Sequence, residues 1–145
     1  MRLIIQRVQS ASVDINNNTH NQIRNGLLCF VGFCDKDEKS DFKWAINKIS
    51  NLKLFKNQKS VKDICGELLF VSQFTLFASI KKGTKPSWSK AANPTVAKKM
   101  YADFLEMCRD QMGDKVKDGV FGADMQIHLV NDGPVTLILD TKNRE

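Results

Sequence analysis

Only two stretches of this chain repeat their apolar residues with a helical period, and that scarcity constrains the fold more than any other feature. In the first, Phe42, Ala45, Ile46, Ile49 and Leu52 follow the i, i+3, i+4, i+7 spacing after Ser40, which can cap the helix. In the second, Asn93 stands as a cap before Pro94. The helix it opens carries Ala97, Met100, Tyr101, Phe104, Leu105, Cys108 and Met112 on one face, and Gly113 supplies a stop. A doubly wound nucleotide fold needs more helices than this, and neither G-x-G-x-x-G nor G-x-x-x-x-G-K is present.

The remaining apolar segments read as strands. Residues 3–15 place Leu3, Ile5, Val13 and Ile15 at odd positions, with an irregularity near Ser10-Ala11, and Asn16-Asn17-Asn18 then turns the chain into a hairpin partner. Gly26 opens an unbroken apolar run through Phe33, the pattern of a strand buried on both faces. Residues 67–78 (ELLFVSQFTLFA) read as a central strand. Residues 125–130 and 135–140 read as two more, separated by Asn131-Asp132-Gly133-Pro134. The expected architecture is α+β, a largely antiparallel or mixed, barrel-like sheet with two main helices packed outside it. At 145 residues, without repeats or low-complexity linkers, residues 1–145 form one domain.

Several classes fall away. No apolar run approaches the roughly 18 residues of a membrane span, and the N-terminus lacks the apolar stretch of a secretory signal. The cysteines Cys29, Cys34, Cys65 and Cys108 form no C-x-x-C pair. Reduced thiols in a cytoplasmic protein are expected, with neither metal nor cofactor.

Charge is concentrated. Residues 81–99 hold six lysines (Lys81, Lys82, Lys85, Lys90, Lys98, Lys99) and no acidic residue, matching the net charge of +6 for the whole chain. Such a cluster on one face suits a phosphate-rich partner, and it equally suits a solvated, solubilising surface.

Catalytic residues of the familiar kinds are scarce. His20 lies in the Asn-rich turn, and His128 faces away from Ile127 and Leu129 on a strand. No G-x-S-x-G elbow or Cys–His pairing exists. A Ser-His-Asp relay is therefore not expected. Two segments break their apolar context instead. Ser72, Gln73 and Thr75 bring hydroxyls and an amide into a strand otherwise suited to the core, where each costs roughly 1–3 kcal/mol unless bonded or used. Asn131-Asp132-Gly133-Pro134-Val135-Thr136 is either a plain turn or a functional segment.

Taken in order, Ser72-Gln73-Phe74-Thr75-Leu76 and, beginning 55 residues after Leu76, Asn131-Asp132-Gly133-Pro134-Val135-Thr136 resemble the two signature motifs of the D-aminoacyl-tRNA deacylase family. The likeness spans essentially the whole chain. It takes in Met1-Arg2, Gln6-Arg7-Val8, Gly26-Leu27-Leu28, Gly66-Glu67-Leu68-Leu69, the basic 82–87 loop and Phe121-Gly122-Ala123-Asp124-Met125.

The resemblance implies a homodimeric editing enzyme that hydrolyses the ester between a D-amino acid and the 3′ end of tRNA, and also acts on glycyl-tRNA. It implies a catalytic pocket at Ser72, Gln73, Phe74 and Thr75, with Phe121, Gly122, Ala123 and Met125 lining an adenosine pocket. Phe74 would stack on or wall the adenine. Lys81, Lys82, Lys85 and Lys90 would meet acceptor-stem phosphates. A cis Gly133-Pro134 pair would cross the dimer interface as a stiff wall rejecting L side chains, with Asn131, Thr136 and Arg7 around it. By the same likeness, the neighbouring ribose 2′-OH assists water while N–H groups near Phe74-Thr75 hold the carbonyl oxygen. Thr75 as a nucleophile is the alternative, and no base stands near it in sequence. A nucleic-acid-binding domain without turnover is the competing class. Three departures from the family pattern stand out: a shortened 55–62 stretch, Cys65 at a usual glycine, and Trp88 at a common phenylalanine position.

Overall fold

The computed structural model describes residues 1–144. β1 (Arg2–Ile15) is the organising strand, pairing antiparallel with three others. Leu3, Ile5 and Val13 are fully buried on it, as their alternation demands. Asn16 and Asn17 turn the chain with φ of 51° and 62°, the left-handed pair that suits the twist of a two-residue hairpin. β2 (Asn18–Ile23) then returns along β1. His20 sits on this strand rather than in the turn, and it is exposed.

β3 (Gly26–Gly32) is buried on both faces because each face meets a different core. Leu27, Cys29 and Val31 join Leu68 and Phe70 beneath the helices, while Leu28 joins Val8, Val13, Leu69 and Val71 inside the curl of the sheet. β4 (Glu67–Ser72) runs parallel to β3, and β5 (Val116–Asp118), too short to show a period in sequence, runs parallel to β4. The sheet is thus mixed and barrel-like, in the order β2-β1-β3-β4-β5 with β6 (Gln126–Asp140) on the other side of β1. Gly26 lets β3 and β4 approach, since a Cβ there would lie 2.0 Å from the Glu67 carbonyl oxygen.

Both helices cover one face. α1 (Lys39–Asn51) buries Phe42, Ala45, Ile46 and Ile49; α2 (Pro94–Met112) buries Ala97, Tyr101, Phe104, Leu105 and Cys108. Edge-to-face contacts of Phe104 with Phe33, Phe42 and Phe70 join them to the sheet. Asn93 caps α2 by accepting from the Thr95 N–H at 3.0 Å.

Three expectations need correction. The cap of α1 is Glu38, not Ser40: Asp41 reaches back to accept from the Glu38 N–H at 2.9 Å, a capping-box contact. Burial alone would raise the Asp41 carboxyl. Lys142, the Glu38 N–H and Thr141 outweigh that and hold it below the usual carboxylate range. Second, the strand expected over 67–78 ends at Ser72, and Phe74–Phe77 forms a 3₁₀ turn. Third, 125–130 and 135–140 belong to one strand, because both halves of β6 pair antiparallel with β1. The partner of Val8 is Asn131 and that of Gln6 is Thr136, so residues 132–135 form a bulge rather than a hairpin turn. The register shift between Val8 and Ser10 accounts for the irregularity read near Ser10-Ala11.

Candidate active site

β3 and β4 run in the same direction, and both end at one cleft of about 680 Å³. Val31, Gly32, Val71, Ser72, Gln73 and Phe74 line it from the strand ends. Trp88 and the 91–94 segment line it from the loop before α2, and residues 121–125 from the loop before β6. The structure therefore brings together Ser72, Gln73 and Phe74 with Phe121, Gly122, Ala123 and Met125.

Local backbone chemistry sets the turn. The Gln73 N–H donates to the Val31 carbonyl at 2.7 Å, continuing the β3–β4 pairing one residue past the strand. Gly32 permits this approach: a Cβ on it would lie 2.7 Å from the Gln73 carbonyl oxygen. Sequence reasoning gave Gly32 no role, although a glycine inside an apolar strand is itself a sign of close backbone approach. After Gln73 the chain tightens into the 3₁₀ turn, where the Phe74 and Thr75 N–H groups find no protein acceptor among the described residues. The Gln73 Nε2 donates to Thr75 Oγ1 at 2.5 Å.

Phe74 is 55% exposed, which removes it from the core, and it meets the Trp88 ring edge-on at 5.3 Å. Asp124 is the one titratable side chain lining the cleft among the described residues. Neither histidine lines it; His128 pairs with Asp14 at 3.2 Å on an exposed face. No cysteine of the described residues lines the cleft, and the two buried thiols are no substitute for a base. Burial raises Cys29 and pushes Cys108 up to about 12, keeping both protonated. Among the described residues no three His, Cys, Asp or Glu side chains are grouped to hold a metal ion.

The second motif lies outside the cleft lining. At the β6 bulge, Arg7 Nε donates to the Asp132 carbonyl at 3.2 Å and pairs with its carboxylate at 2.9 Å, while Arg7 Nη1 donates to the Leu54 carbonyl. Asn131 Nδ2 donates to the Arg7 and Val135 carbonyls at 2.9 and 3.2 Å, and Gln6 Nε2 donates to Thr136 Oγ1 at 3.2 Å. Gly133–Pro134 is a cis peptide held at the crest of this network. Lys81, Lys82, Lys85 and Lys90 are all exposed, and none forms an ion pair among the described residues.

A curled mixed sheet whose strand ends open on a cleft of exposed aromatics, with neither histidine among its lining residues, defines a small single-sheet α+β domain. The chain belongs to the D-Tyr-tRNA(Tyr) deacylase family, whose model matches residues 4–140. It is 47% identical to a D-aminoacyl-tRNA deacylase of Flavobacterium psychrophilum over the full length of both chains. It is 48% identical to one of Thermosipho africanus, covering 98% of each. Among solved structures it is similar to a c-Myc DNA unwinding element binding protein, with a TM-score of 0.91, 37% identity and coverage of 97% and 98% of the two chains. A probable eukaryotic D-amino acid tRNA deacylase shares the fold at a TM-score of 0.83 and 17% identity, covering 95% and 97%. No helix among the described residues is long and apolar enough to cross a membrane.

Proposed function

We propose that this protein hydrolyses the ester joining a D-amino acid to the terminal adenosine of tRNA, and likewise glycine mischarged on tRNA-Ala, as a cytoplasmic homodimer without cofactor. Water adds to the ester carbonyl, the carbonyl C–O3′ bond breaks, and the D-amino acid leaves from a tRNA with a free 3′-OH. The observation that carries this reading is the cleft itself: Phe74, whose N–H and that of the adjoining Thr75 meet no protein acceptor among the described residues, lines it together with all five residues of the 121–125 loop. Those amides suit a developing oxyanion, the most heavily stabilised charge in ester hydrolysis. Phe74 and the 121–125 wall suit the adenosine. As the family resemblance implies, the neighbouring ribose 2′-OH is the group that orients or activates the water, a role consistent with the absence of both histidines from the cleft lining.

Discrimination is assigned to the partner subunit. Gly133 and Pro134 stand outside the cleft of their own chain, which suits the arrangement the family resemblance implies, a second copy bringing them to it. Glycine offers no side chain and proline no N–H, leaving a wall that an L side chain strikes and a D side chain avoids. Arg7, Asn131 and Thr136 hold that wall in place.

The test is release of amino acid from matched D-Tyr-tRNA and L-Tyr-tRNA by the purified, metal-free protein. Rapid hydrolysis of the D ester beside an untouched L ester is expected. Bound tRNA with neither ester hydrolysed would overturn the reading in favour of a binding protein.

A further inference from the structure

Trp88 is an aromatic ring with no partner assigned to it by the chemistry above. It is 43% exposed, it lines the cleft, and its edge contact with Phe74 leaves aromatic surface in water on both rings. Its backbone is fixed on each side. Ser79 and Ser87 exchange two hydrogen bonds of 2.8 and 2.9 Å that close the basic loop immediately before it. After it, the Ala91 N–H donates to the Trp88 carbonyl at 3.0 Å and the Ala92 N–H to the Phe33 carbonyl at 2.9 Å. A large ring at a cleft mouth, held by backbone bonds, loses little freedom when it binds.

The loop that Ser79 and Ser87 close contains Lys81, Lys82 and Lys85, whose charges no carboxylate offsets among the described residues. Trp88 stands one residue beyond that closure and on the cleft lining. An exposed aromatic beside an uncompensated basic track is how proteins hold single-stranded nucleic acid: rings take bases, and cations follow the phosphates.

We propose that Trp88 stacks on the nucleobase next to the terminal adenosine, clamping the single-stranded 3′ end between the cleft and the lysine loop. This rests on the aminoacyl-tRNA reading and extends it by one nucleotide. The terminal nucleoside occupies the cleft beside Phe74, and the strand leaving it passes the indole before its phosphates reach the lysines. Stacking is tolerant of base identity, so Trp88 recognises an unpaired strand rather than a sequence.

The experiment compares two substrates that share the scissile ester: D-Tyr-tRNA, and D-tyrosyl-adenosine, which lacks the neighbouring nucleotide. Trp88→Ala is expected to raise KM for the tRNA about tenfold, the effect of removing one base stack, and by several-fold less for the adenosine ester. Trp88→Phe restores most of the difference because it keeps a π-face. Trp88→Leu does not, although it keeps bulk against Phe74, and it replaces the alanine variant if that protein fails to fold. Equal losses on both substrates, or rescue by leucine as good as by phenylalanine, would overturn the proposal and leave Trp88 as packing behind Phe74.

Affinity for uncharged tRNA reads the same contact without catalysis. The alanine variant weakens binding to intact tRNA and not to tRNA trimmed of its last two nucleotides. That pattern, found in a protein that hydrolyses neither ester, would count against the deacylase reading and uphold the assignment of Trp88. An equal effect on trimmed and intact tRNA would refute it.

Discussion

Thr75 carries a hydroxyl next to the cleft-lining Phe74 but stands in the wrong surroundings for a nucleophile. Its oxygen already accepts a 2.5 Å hydrogen bond from Gln73 Nε2, and no histidine lines the cleft to take its proton. Thr75→Ala is therefore expected to keep deacylation within about tenfold of the unaltered protein, a loss of one or two hydrogen bonds' worth of positioning. Complete loss with unchanged folding and tRNA affinity would restore the covalent reading. Cys65 makes a separate residue-scale case. Its φ of 52° puts an L side chain in the left-handed region, at a strain of roughly 1–2 kcal/mol, partly offset by the entropy that glycine adds to the unfolded chain. Cys65→Gly should raise the urea-unfolding free energy by about 0.5–1 kcal/mol; a decrease would mean that the thiol's contacts outweigh its backbone strain. The strangeness of Cys65 was visible in the sequence as a departure from a usual glycine. A glycine inside the apolar run marks a close approach at Gly32, but which atom approaches, the Gln73 carbonyl oxygen, is distant in sequence and not legible there.

At the scale of elements, legibility followed the range of the forces involved. α2 was readable end to end, since Asn93, Pro94 and Gly113 are local signals and its apolar face repeats over five turns. Periodicity carries the strand on to residue 78 because the last residues of 67–78 are as apolar as the first. What ends β4 is the bond from Gln73 N–H to Val31, a long-range interaction that periodicity does not carry. The β6 bulge escapes the sequence for the opposite reason: Asp-Gly and Gly-Pro are strong local turn signals, overruled here by continuous pairing with β1. The basic loop was legible as charge, and the structure adds its closure at Ser79 and Ser87. Replacing Lys81, Lys82 and Lys85 by glutamine should lower the slope of log affinity for tRNA against log salt by about 0.7–0.9 for each phosphate no longer neutralised. Filter binding across a salt series measures it. An unchanged slope would return these lysines to the role of solvated surface.

The whole molecule leaves one side conspicuously uncovered. β6 pairs with β1 alone among the described residues, and it turns Val130 (51% exposed) and Ile138 (78%) toward solvent together with Leu129 and Leu137. An apolar strand at a free edge is a surface that proteins normally cover, and the Gly133–Pro134 bulge lies on that same strand. If a second copy covers it, assembly and chiral selection depend on one surface. Ile138→Lys tests that dependence with little risk to the fold, because the side chain lies in solvent. In sedimentation the unaltered protein should run as a dimer and the variant as a monomer. The monomer should lose at least about tenfold of its preference for the D over the L ester, since each cleft would lack the wall that its partner supplies. Its circular dichroism should stay unchanged. A folded monomer that still separates D from L would move the selecting element into the cleft of the single chain, leaving the bulge held by Arg7 and Asn131 as scaffolding for β1 and β6.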